Sequence, residues 1–236
     1  MEVQVARDIA VREGWLASQP EPFRREVLKR SVLRRYEKGE YLYHLDDEPG
    51  MMCGIVEGAV LIAVPHPIVG VYQGHLGRVG DWFGEVAAVH QVRRKISIEA
   101  AIPVQVLCLS IGSVQDMIRD IPSAMKQFST LLLWNHQIAL RTAVDLMIRE
   151  PLPRVCARLL TLVGFGRGQT LGDGPFELPL TQDLLATMCG LSRKSVHRVL
   201  KMLEAEGHCQ SHYGTIVVLD PRAVERKLVE AGQPHD

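Results

Sequence analysis

The 236-residue chain carries 27 lysines and arginines and 27 aspartates and glutamates, so its formal net charge is zero. Because no overall positive field draws the protein to nucleic acid or to a membrane surface, any affinity for DNA must come from a local patch. The length accommodates one large domain or two small ones. No apolar run approaches the roughly 20 residues of a membrane span, and the N-terminal residues lack the apolar core of a signal peptide.

The N-terminal part of the chain begins with helical periodicity and then changes to short β-rich runs. Residues 8–30 are predicted to form two helical pieces broken at Pro20 and Pro22. The predicted strands that follow are Val32–Tyr36, Tyr41–Leu45, Cys53–Val56, Val60–Val64, Val69–Tyr72, Leu76–Val79, Ile96–Ala101 and Val104–Leu109. Many short strands separated only by turn-forming residues predict an antiparallel barrel or jelly roll. Residues 84–95, GEVAAVHQVRRK, interrupt this rhythm.

A long helix is predicted from about Ile121 to Arg149. Its seam residues recur at alternating spacings of three and four, which is typical of a coiled coil. The seam consists of Met125, Phe128, Leu132, Asn135, Ala139, Thr142 and Leu146. Asn135 would fix the register of a parallel dimer. Alternatively, this amphipathic helix only covers its own barrel. Two prolines, Pro151 and Pro153, end the helix and mark a hinge at residues 149–153.

The C-terminal part of the sequence contains the pattern of a winged helix-turn-helix. After a predicted helix over residues 154–165 and a Gly-rich loop over Gly164–Gly174, Thr181 caps a short amphipathic helix that ends at Gly190. Ser192 caps a second helix whose polar face is basic, and such a pair of helices can enter a DNA major groove. Strands over residues 208–211 and 215–219 would form the wing, and residues 221–231 a closing helix. A basic helix face alone also fits a solvated surface.

This order of elements resembles the CRP/FNR family of bacterial transcription regulators over essentially the whole chain. The motifs that carry the resemblance are SRKSVHRVLKMLEAEG and GTIVV in the second half, and KGE and GDWFGE in the first. The resemblance implies an α+β fold with an antiparallel β-roll or jelly-roll domain over residues 1–112. A dimerisation helix would follow over residues 113–150 and a winged helix-turn-helix over residues 151–236. It further implies a cytoplasmic, homodimeric, non-enzymatic regulator of double-stranded promoter DNA, away from membranes, that would contact RNA polymerase if it is an activator.

The resemblance also assigns DNA-contacting residues. They are Thr181, Gln182, Ser192, Arg193, Lys194, Ser195, His197, Arg198, Lys201 and His212. Arg193 and Arg198 fall where the family places base or phosphate contacts, and Gln182 and Thr181 would clamp phosphates. Lys194 stands where cyclic-AMP-responsive members have a glutamate that reads cytosine. Because a cation cannot accept that hydrogen bond, we expect a different operator base pair.

Residues 84–95 resemble the phosphate-binding cassette of cyclic-nucleotide sensors. Gly84 and Glu85 match its opening, and Arg94 would hold the phosphate if the loop is one residue short, with Lys95 at the hydroxyl position. Alignment without a gap would instead put Lys95 at the arginine position. Neither alignment recovers the complete motif, and Ala139 and Leu140 cannot hydrogen-bond an adenine through their side chains. We therefore expect no cyclic AMP and leave the effector open, including a regulator that has none.

Other cofactors and an enzymatic alternative receive less support from the sequence. An iron–sulfur sensor needs clustered cysteines, whereas no cysteine precedes Cys53 and all five stand singly, which is typical of a reducing compartment. Haem would need an axial ligand such as His44, and single histidines do not predict one. A cupin-like metal enzyme using His66, His75 and His90 lacks the usual HxH spacing. A redox pair of Cys53 with Cys108 stays open. We therefore expect no metal, haem or iron–sulfur cofactor.

Overall fold

The computed structural model describes residues 1–164 and 174–231. These residues form two compact units. The first comprises Met1–Val71 with Leu76–Asn135, and the second comprises Tyr72–His75 with His136–Asp236. Residues 165–173 of the predicted Gly-rich loop lie outside the described part of the chain. Within the described ranges, no helix is long and apolar enough to cross a membrane.

Three short helices open the first unit, where two helical pieces were predicted. They are α1 (Val3–Ala10), α2 (Gly14–Ala17) and α3 (Glu21–Arg30). Gly14 has a φ of +80°, and a Cβ there would lie 2.0 Å from the carbonyl oxygen of Gly80, so only glycine fits the break. Pro20 is the N-cap of α3, and Pro22 lies in its first turn, where a missing N–H costs nothing.

Eight strands follow, and most match the predicted runs. They are β1 (Val32–Tyr36), β2 (Tyr41–Tyr43), β3 (Met51–Glu57), β4 (Val60–His66), β5 (Gly70–Gly77), β6 (Trp82–Phe83), β7 (Ser97–Ala100) and β8 (Val104–Ser110). The single strand β5 includes residues 70–72 of the run predicted at 69–72 and residues 76–77 of the run predicted at 76–79. The two-residue strand β6 was not predicted, because so short a segment has no periodicity.

The strands form two four-stranded sheets, in the orders β1-β8-β3-β6 and β2-β7-β4-β5. The pairs β1–β8, β3–β8, β3–β6, β2–β7 and β4–β7 are antiparallel. One apolar core joins residues of both sheets, including Ile55, Val106 and Cys108 from the first and Val60 and Ile98 from the second. Each of these side chains is at most 2% exposed. Two antiparallel sheets enclosing a common core constitute a β-roll of the predicted kind.

A second core packs the helices of this unit against the first sheet. Its centre is Trp15, whose ring lies 5.9 Å from Phe23, 5.6 Å from Trp82 and 6.1 Å from Phe128. The indole N–H of Trp15 donates to the Thr130 hydroxyl at 3.0 Å. Because a buried indole needs such a partner, this bond fixes the ring while its faces contact the other aromatics.

Three helices complete the first unit and lead into the second. They are α4 (Glu85–His90), α5 (Ile111–Asp120) and α6 (Ala124–Asp145). Helix α5 lies mostly within the helix predicted over residues 113–150 but is separate from α6, and Ser110 caps it by accepting from the Ser113 N–H. Helix α6 is shorter at both ends than the predicted Ile121–Arg149 helix.

The second unit contains α7 (Pro151–Leu162), β9 (Phe176–Leu178), α8 (Gln182–Cys189), α9 (Arg193–Ala205), β10 (Cys209–His212), β11 (Thr215–Val218) and α10 (Pro221–Ala231). The strands form one antiparallel sheet in the order β10-β11-β9. Helix α7 is buried along most of its length, with α10 packed on it. Its prolines lie at the start of α7 instead of simply ending α6.

Candidate nucleic-acid interface

Helices α8 and α9 are joined by a tight turn, and both helices are capped at their N-termini as the sequence predicts. The Thr181 hydroxyl accepts from the Leu184 N–H, and the Ser192 hydroxyl accepts from the Ser195 N–H, each at 3.1 Å. Gly190 ends α8 in the left-handed conformation, with φ 59° and ψ 38°. Thr181 and Ser192 therefore use their hydroxyls to fix the helix starts, whatever else they contact.

The two helices pack through apolar side chains and leave the polar face of α9 in solvent. Leu185, Met188, Val196 and Leu200 are all fully buried. Arg193, Lys194, His197, Arg198 and Lys201 are exposed, and Ser195 is half-buried beside Ser192, with 2.9 Å between the hydroxyl oxygens. Long cationic side chains thus line the N-terminal half of α9, which is the part that meets base edges in helix-turn-helix proteins.

Three of these exposed side chains have partners within the chain. Lys201 Nζ lies 2.6 Å from Glu204 Oε2. Arg193 Nε lies 3.4 Å from Asp183 Oδ1, and the His197 Nδ1 lies 3.1 Å from Gln182 Oε1. Asp183 did not figure among the predicted site residues, since no spacing rule relates it to Arg193.

The hairpin of β10 and β11 forms the predicted wing. His212 pairs with Thr215 across a two-residue turn in which Gly214 has a φ of +74°. Tyr213 at the tip is fully exposed, and His212 beside it is exposed as well. The wing therefore presents an imidazole and a phenol to solvent. Tyr213 is a further candidate that the sequence reading passed over.

Arg154 is another residue that the sequence reading missed, and it lies directly after the prolines of the hinge. Its Nε donates to the carbonyl of Ile148, and its Nη1 donates to the carbonyl of Cys189 at 3.2 Å. The second carbonyl belongs to the C-terminal end of α8, where a cation is favoured by the helix dipole. Arg154 thus connects the segment that follows α6 to the turn of the helix-turn-helix.

The predicted seam on α6 requires a correction, because the helix turns some of its members toward their own chain. Phe128 is 1% exposed and packs 5.2 Å from the Phe23 ring, so its assignment to a dimer interface is wrong. Asn135 donates to the Glu85 carboxylate at 3.1 Å, and Thr142 accepts from Arg158 at 2.7 Å. The side chains of Asn135 and Thr142 therefore form hydrogen bonds within their own chain.

The outward face of α6 is shifted by one residue from the predicted seam. Leu133 and Leu140 on α6, and Met147 in the turn just after it, stand at heptad spacing and are 58%, 53% and 80% exposed. Of the predicted seam, Met125, Leu132 and Ala139 are exposed beside this stripe, and Leu146 is half-buried. An apolar stripe of this length, opposite the face that packs on its own core, is typical of a helix that has a partner.

In the β-roll, the segment that resembles a phosphate cassette brings Glu85 and Arg94 together in a buried site. Gly84 precedes α4 with a φ of +90°, and a Cβ there would lie 2.6 Å from Arg94 Nη1. Arg94 is 3% exposed, donates to the Met51 carbonyl and lies 4.0 Å from the centroid of the Tyr43 ring. Lys95 is exposed, so Arg94 occupies the position that faces the interior.

The charges in this buried site are only partly compensated. Burial raises the pKa of Glu85 above its ordinary value, against the hydrogen bond from Asn135 and the nearby charge of Arg94, which lower it. Among the described residues, neither Nε nor Nη1 of Arg94 has a hydrogen-bond partner. A buried guanidinium with free N–H groups has the chemistry to hold an anion.

The histidines proposed for a metal enzyme do not form a cluster. His66 accepts from the N–H of Ile68 at 3.2 Å, His75 is 8% exposed, and His90 is exposed. Within residues 1–164 and 174–231, no group of three or more His, Cys, Asp and Glu side chains is placed to hold a metal ion.

Comparison with known proteins assigns both halves of the chain. The family model of the cyclic nucleotide-binding domain matches residues 33–120, and the model of the Crp-like helix-turn-helix domain matches residues 153–227. The cAMP-activated global transcriptional regulator CRP of Pasteurella multocida is 27% identical over 199 residues, which cover 82% of this chain and 88% of that protein. The chain belongs to the CRP/FNR family.

Solved structures of CRP/FNR proteins share the fold. FixK2 from Bradyrhizobium japonicum superposes with a TM-score of 0.70 at 20% identity, over 83% of this chain and 96% of that one. The c-di-GMP responsive global regulator CLP of Xanthomonas campestris superposes with a TM-score of 0.61 at 20% identity, over 85% and 99%. The predicted CRP/FNR membership, the α+β fold class and the function as a DNA-binding transcription regulator are confirmed.

Proposed function

We propose that two copies of this CRP/FNR regulator pair through α6 and read a pseudo-palindromic operator. Each α9 would enter the major groove of one half-site, with half-site centres about 34 Å apart. The observation that carries this proposal is the exposed cationic N-terminal half of α9, held between the Ser192 cap and the wing. The exposed stripe of Leu133, Leu140 and Met147 supplies the surface for pairing.

The proposed roles within α9 follow from side-chain chemistry. Arg193 and Arg198 are long, exposed donors that can pair with guanine or with phosphate, while Lys194 and Lys201 contribute point charges toward the phosphates. His212 on the wing would approach the backbone of the duplex. Because Lys194 cannot accept a hydrogen bond, the operator would differ from that of relatives with a glutamate at this position.

Selection of bound duplexes from a random pool tests this function. We expect a two-fold symmetric motif, and Arg193→Ala should weaken specific binding by about 1–3 kcal/mol and relax one base position. Arg226→Ala, which removes an arginine that is 65% exposed on α10, is the matched control and should leave the motif unchanged. A monomer that binds selected and random duplexes equally would refute the proposal, and an unchanged motif for Arg193→Ala would remove Arg193 from base readout.

We further propose that an anionic ligand at Arg94 gates DNA binding through the hinge at residues 149–153. Support comes from the buried guanidinium, two of whose nitrogens have no hydrogen-bond partner among the described residues, and from Glu85 close to it. Binding would shift the population between two arrangements of the hinge. Cyclic AMP remains outside the proposal, because Lys95 replaces the hydroxyl residue and Ala139 and Leu140 offer no side-chain partner for adenine. We propose no metal, haem or iron–sulfur cofactor.

The ligand proposal is tested by measuring operator affinity with a panel of cyclic mononucleotides, cyclic dinucleotides and inorganic phosphate. One compound should raise the affinity of the wild type, and Arg94→Met should abolish that response. Arg93→Met, which removes a neighbouring arginine that is 59% exposed, should keep it. If the affinity for the operator is the same with every compound, and the same in Arg94→Met as in the wild type, the result would instead support a regulator whose β-roll is only structural.

The cellular setting is also part of the proposal. A DNA target and five free, buried thiols fit a reducing bacterial cytoplasm. Contact with RNA polymerase is proposed for the case that the protein activates transcription. Since the similar proteins named above are regulators, we propose that the chain has no enzymatic activity.

A further inference from the structure

Two side-chain contacts connect α8 to the DNA-facing side of α9. The Nδ1 of His197 lies 3.1 Å from the amide oxygen of Gln182, and the Nε of Arg193 lies 3.4 Å from a carboxylate oxygen of Asp183. Arg193 and His197 are four residues apart, so their side chains lie one above the other on the same helix face. The first helix therefore determines how both side chains are presented.

The contact with Gln182 favours one tautomer of His197. The amide oxygen that faces Nδ1 can only accept a hydrogen bond, so the favoured tautomer carries its hydrogen on Nδ1. In the neutral imidazole, Nε2 is then left as an acceptor. Because His197 is exposed, this acceptor is available to a ligand in the groove.

An acceptor at this place on α9 has a defined base preference. In the major groove, cytosine presents its N4 amino group and adenine its N6 amino group as donors, whereas guanine and the oxygen of thymine present acceptors. Nε2 of His197 therefore fits cytosine or adenine. Lys194 cannot supply this function, so the acceptor stands one turn further along the helix.

The contact with Asp183 has the corresponding effect on Arg193. A pair through Nε leaves both terminal nitrogens of the guanidinium free, and these can donate side by side to O6 and N7 of guanine. The two side chains are 70% and 62% exposed, so the pair contributes little to stability and acts mainly by orienting Arg193.

We propose that Gln182 is a positioning residue for base readout: it holds His197 as a hydrogen-bond acceptor for cytosine or adenine, with Asp183 orienting Arg193 for guanine in the same way. This inference rests on the proposed reading of DNA by α9. It differs from the sequence-based role of Gln182 as a phosphate clamp, which would add affinity without base preference.

Selection from a random pool at about pH 8, with the full-length protein, separates these roles. In the wild type, one position of each half-site should prefer cytosine or adenine, and His197→Ala should reduce that preference about tenfold. Gln182→Ala should reduce it at the same position, by about threefold. Gln182→Glu should preserve the preference, because a carboxylate also accepts from Nδ1, while overall affinity falls through repulsion of the phosphates.

The Asp183→Asn variant serves as the matched control within α8. It should change the guanine preference at the Arg193 position and leave the His197 position as in the wild type. Thermal unfolding of all variants should match the wild type, since the four side chains lie at the surface or half-buried.

The other outcomes distinguish a positioning role of Gln182 from a phosphate clamp, and both from a failure of α9 to read DNA. If Gln182→Ala weakens binding equally at all sequences and leaves the base preference at the His197 position unchanged, Gln182 is a phosphate clamp and the inference is wrong. If the wild type selects a motif that His197→Ala retains at every position, the inference fails while DNA reading by α9 stands. If the wild type selects no motif, the proposed function fails first.

Discussion

The Sγ atoms of Cys53 and Cys108 lie 3.5 Å apart, on residues that pair directly across β3 and β8. Both side chains are buried, and the contact with Cys108 together with burial raises the pKa of the Cys53 thiol well above its ordinary value. The hydrogen bond with Cys53 lowers the pKa of the Cys108 thiol, so it is burial of both sulfur atoms that protects this pair from attack in the folded protein.

We therefore expect slow alkylation of the native protein. Because all five cysteines are buried, N-ethylmaleimide at neutral pH should modify on average less than one thiol per native chain in the fast phase of the reaction. After unfolding in urea it should modify all five. Burial also raises the pKa of Cys156, Cys189 and Cys209 to about 12. Gln210→Cys, at an exposed wing position, should add one fast-reacting thiol as a control. Rapid native labelling of Cys53 or Cys108 in a mass-spectrometric digest would contradict this expectation.

The hydrogen bond from Asn135 to Glu85 should make the cost of losing Asn135 depend on pH. Burial raises the folded-state pKa of Glu85, so this carboxyl favours folding below its unfolded pKa and opposes it as pH rises through the folded value. Asn135→Leu removes an interaction that lowers this pKa. The free energy of unfolding should therefore fall by about 1–3 kcal/mol near pH 7.5, and by less near pH 4.5.

Urea denaturation at fixed protein concentration measures this difference at the two pH values. Gln137→Leu, an exposed substitution two residues further along α6, is the control and should show no such pH dependence. A deficit for Asn135→Leu that is equal at both pH values would show that the amide does not act on the ionised carboxylate.

Arg158 should contribute strongly to the stability of the second unit. It is 1% exposed, donates to the Thr142 hydroxyl at 2.7 Å and to the Gly74 carbonyl, and lies close enough to Asp145 for their charges to interact. Arg158→Met leaves these groups without their donor in a buried site. We expect a loss of roughly 3 kcal/mol, because an unpaired buried acceptor or charge retains its full desolvation cost.

Urea denaturation followed by circular dichroism provides the test for Arg158→Met. Arg226→Met on α10 replaces an arginine that is 65% exposed and should change stability by less than about 0.5 kcal/mol. A loss for Arg158→Met no greater than that of the control would mean that its hydrogen bonds do not offset the burial of its charge.

The apolar stripe on α6 leads to a prediction about assembly. Leu133→Glu combined with Leu140→Glu should convert a dimer to a folded monomer, because four carboxylates would face each other across the seam. Sedimentation velocity measures the change. Val32→Glu, on a strand residue that is 57% exposed, should stay dimeric. Phe128→Ala should instead lower stability by about 3–5 kcal/mol through its place in the core. A double variant that remains dimeric would move the interface elsewhere.

Periodicity predicted the elements well where one pattern dominated. Strand β1 and helix α10 have the predicted bounds, and the caps at Thr181 and Ser192 form as expected. The seam of α6 was displaced because that helix is apolar on two sides. Spacing alone cannot distinguish the face that packs on Trp15 from the apolar face that is left exposed.

The candidate site was predicted in its residue types and less well in its contacts. The basic face of α9 and the cassette arginine could be read from motifs, and Arg94 lies inside while Lys95 lies outside. The contacts of Gln182 with His197 and of Asp183 with Arg193 could not be predicted from motifs, because they depend on the angle at which α8 and α9 cross. Arg154 and Arg158 were missed for the same reason: their partners are distant carbonyl and hydroxyl groups.

The four residues Tyr72–His75 belong to the same compact unit as the helix-turn-helix. The Tyr72 hydroxyl donates to the carbonyl of Met188 at 3.3 Å, and Gly74 supplies the carbonyl that Arg158 uses. A C-terminal fragment cut anywhere in α6 would lose both bonds, although it retained every DNA-facing side chain. The compact unit that contains the helix-turn-helix is therefore assembled from two separate stretches of the chain, one of which belongs to β5.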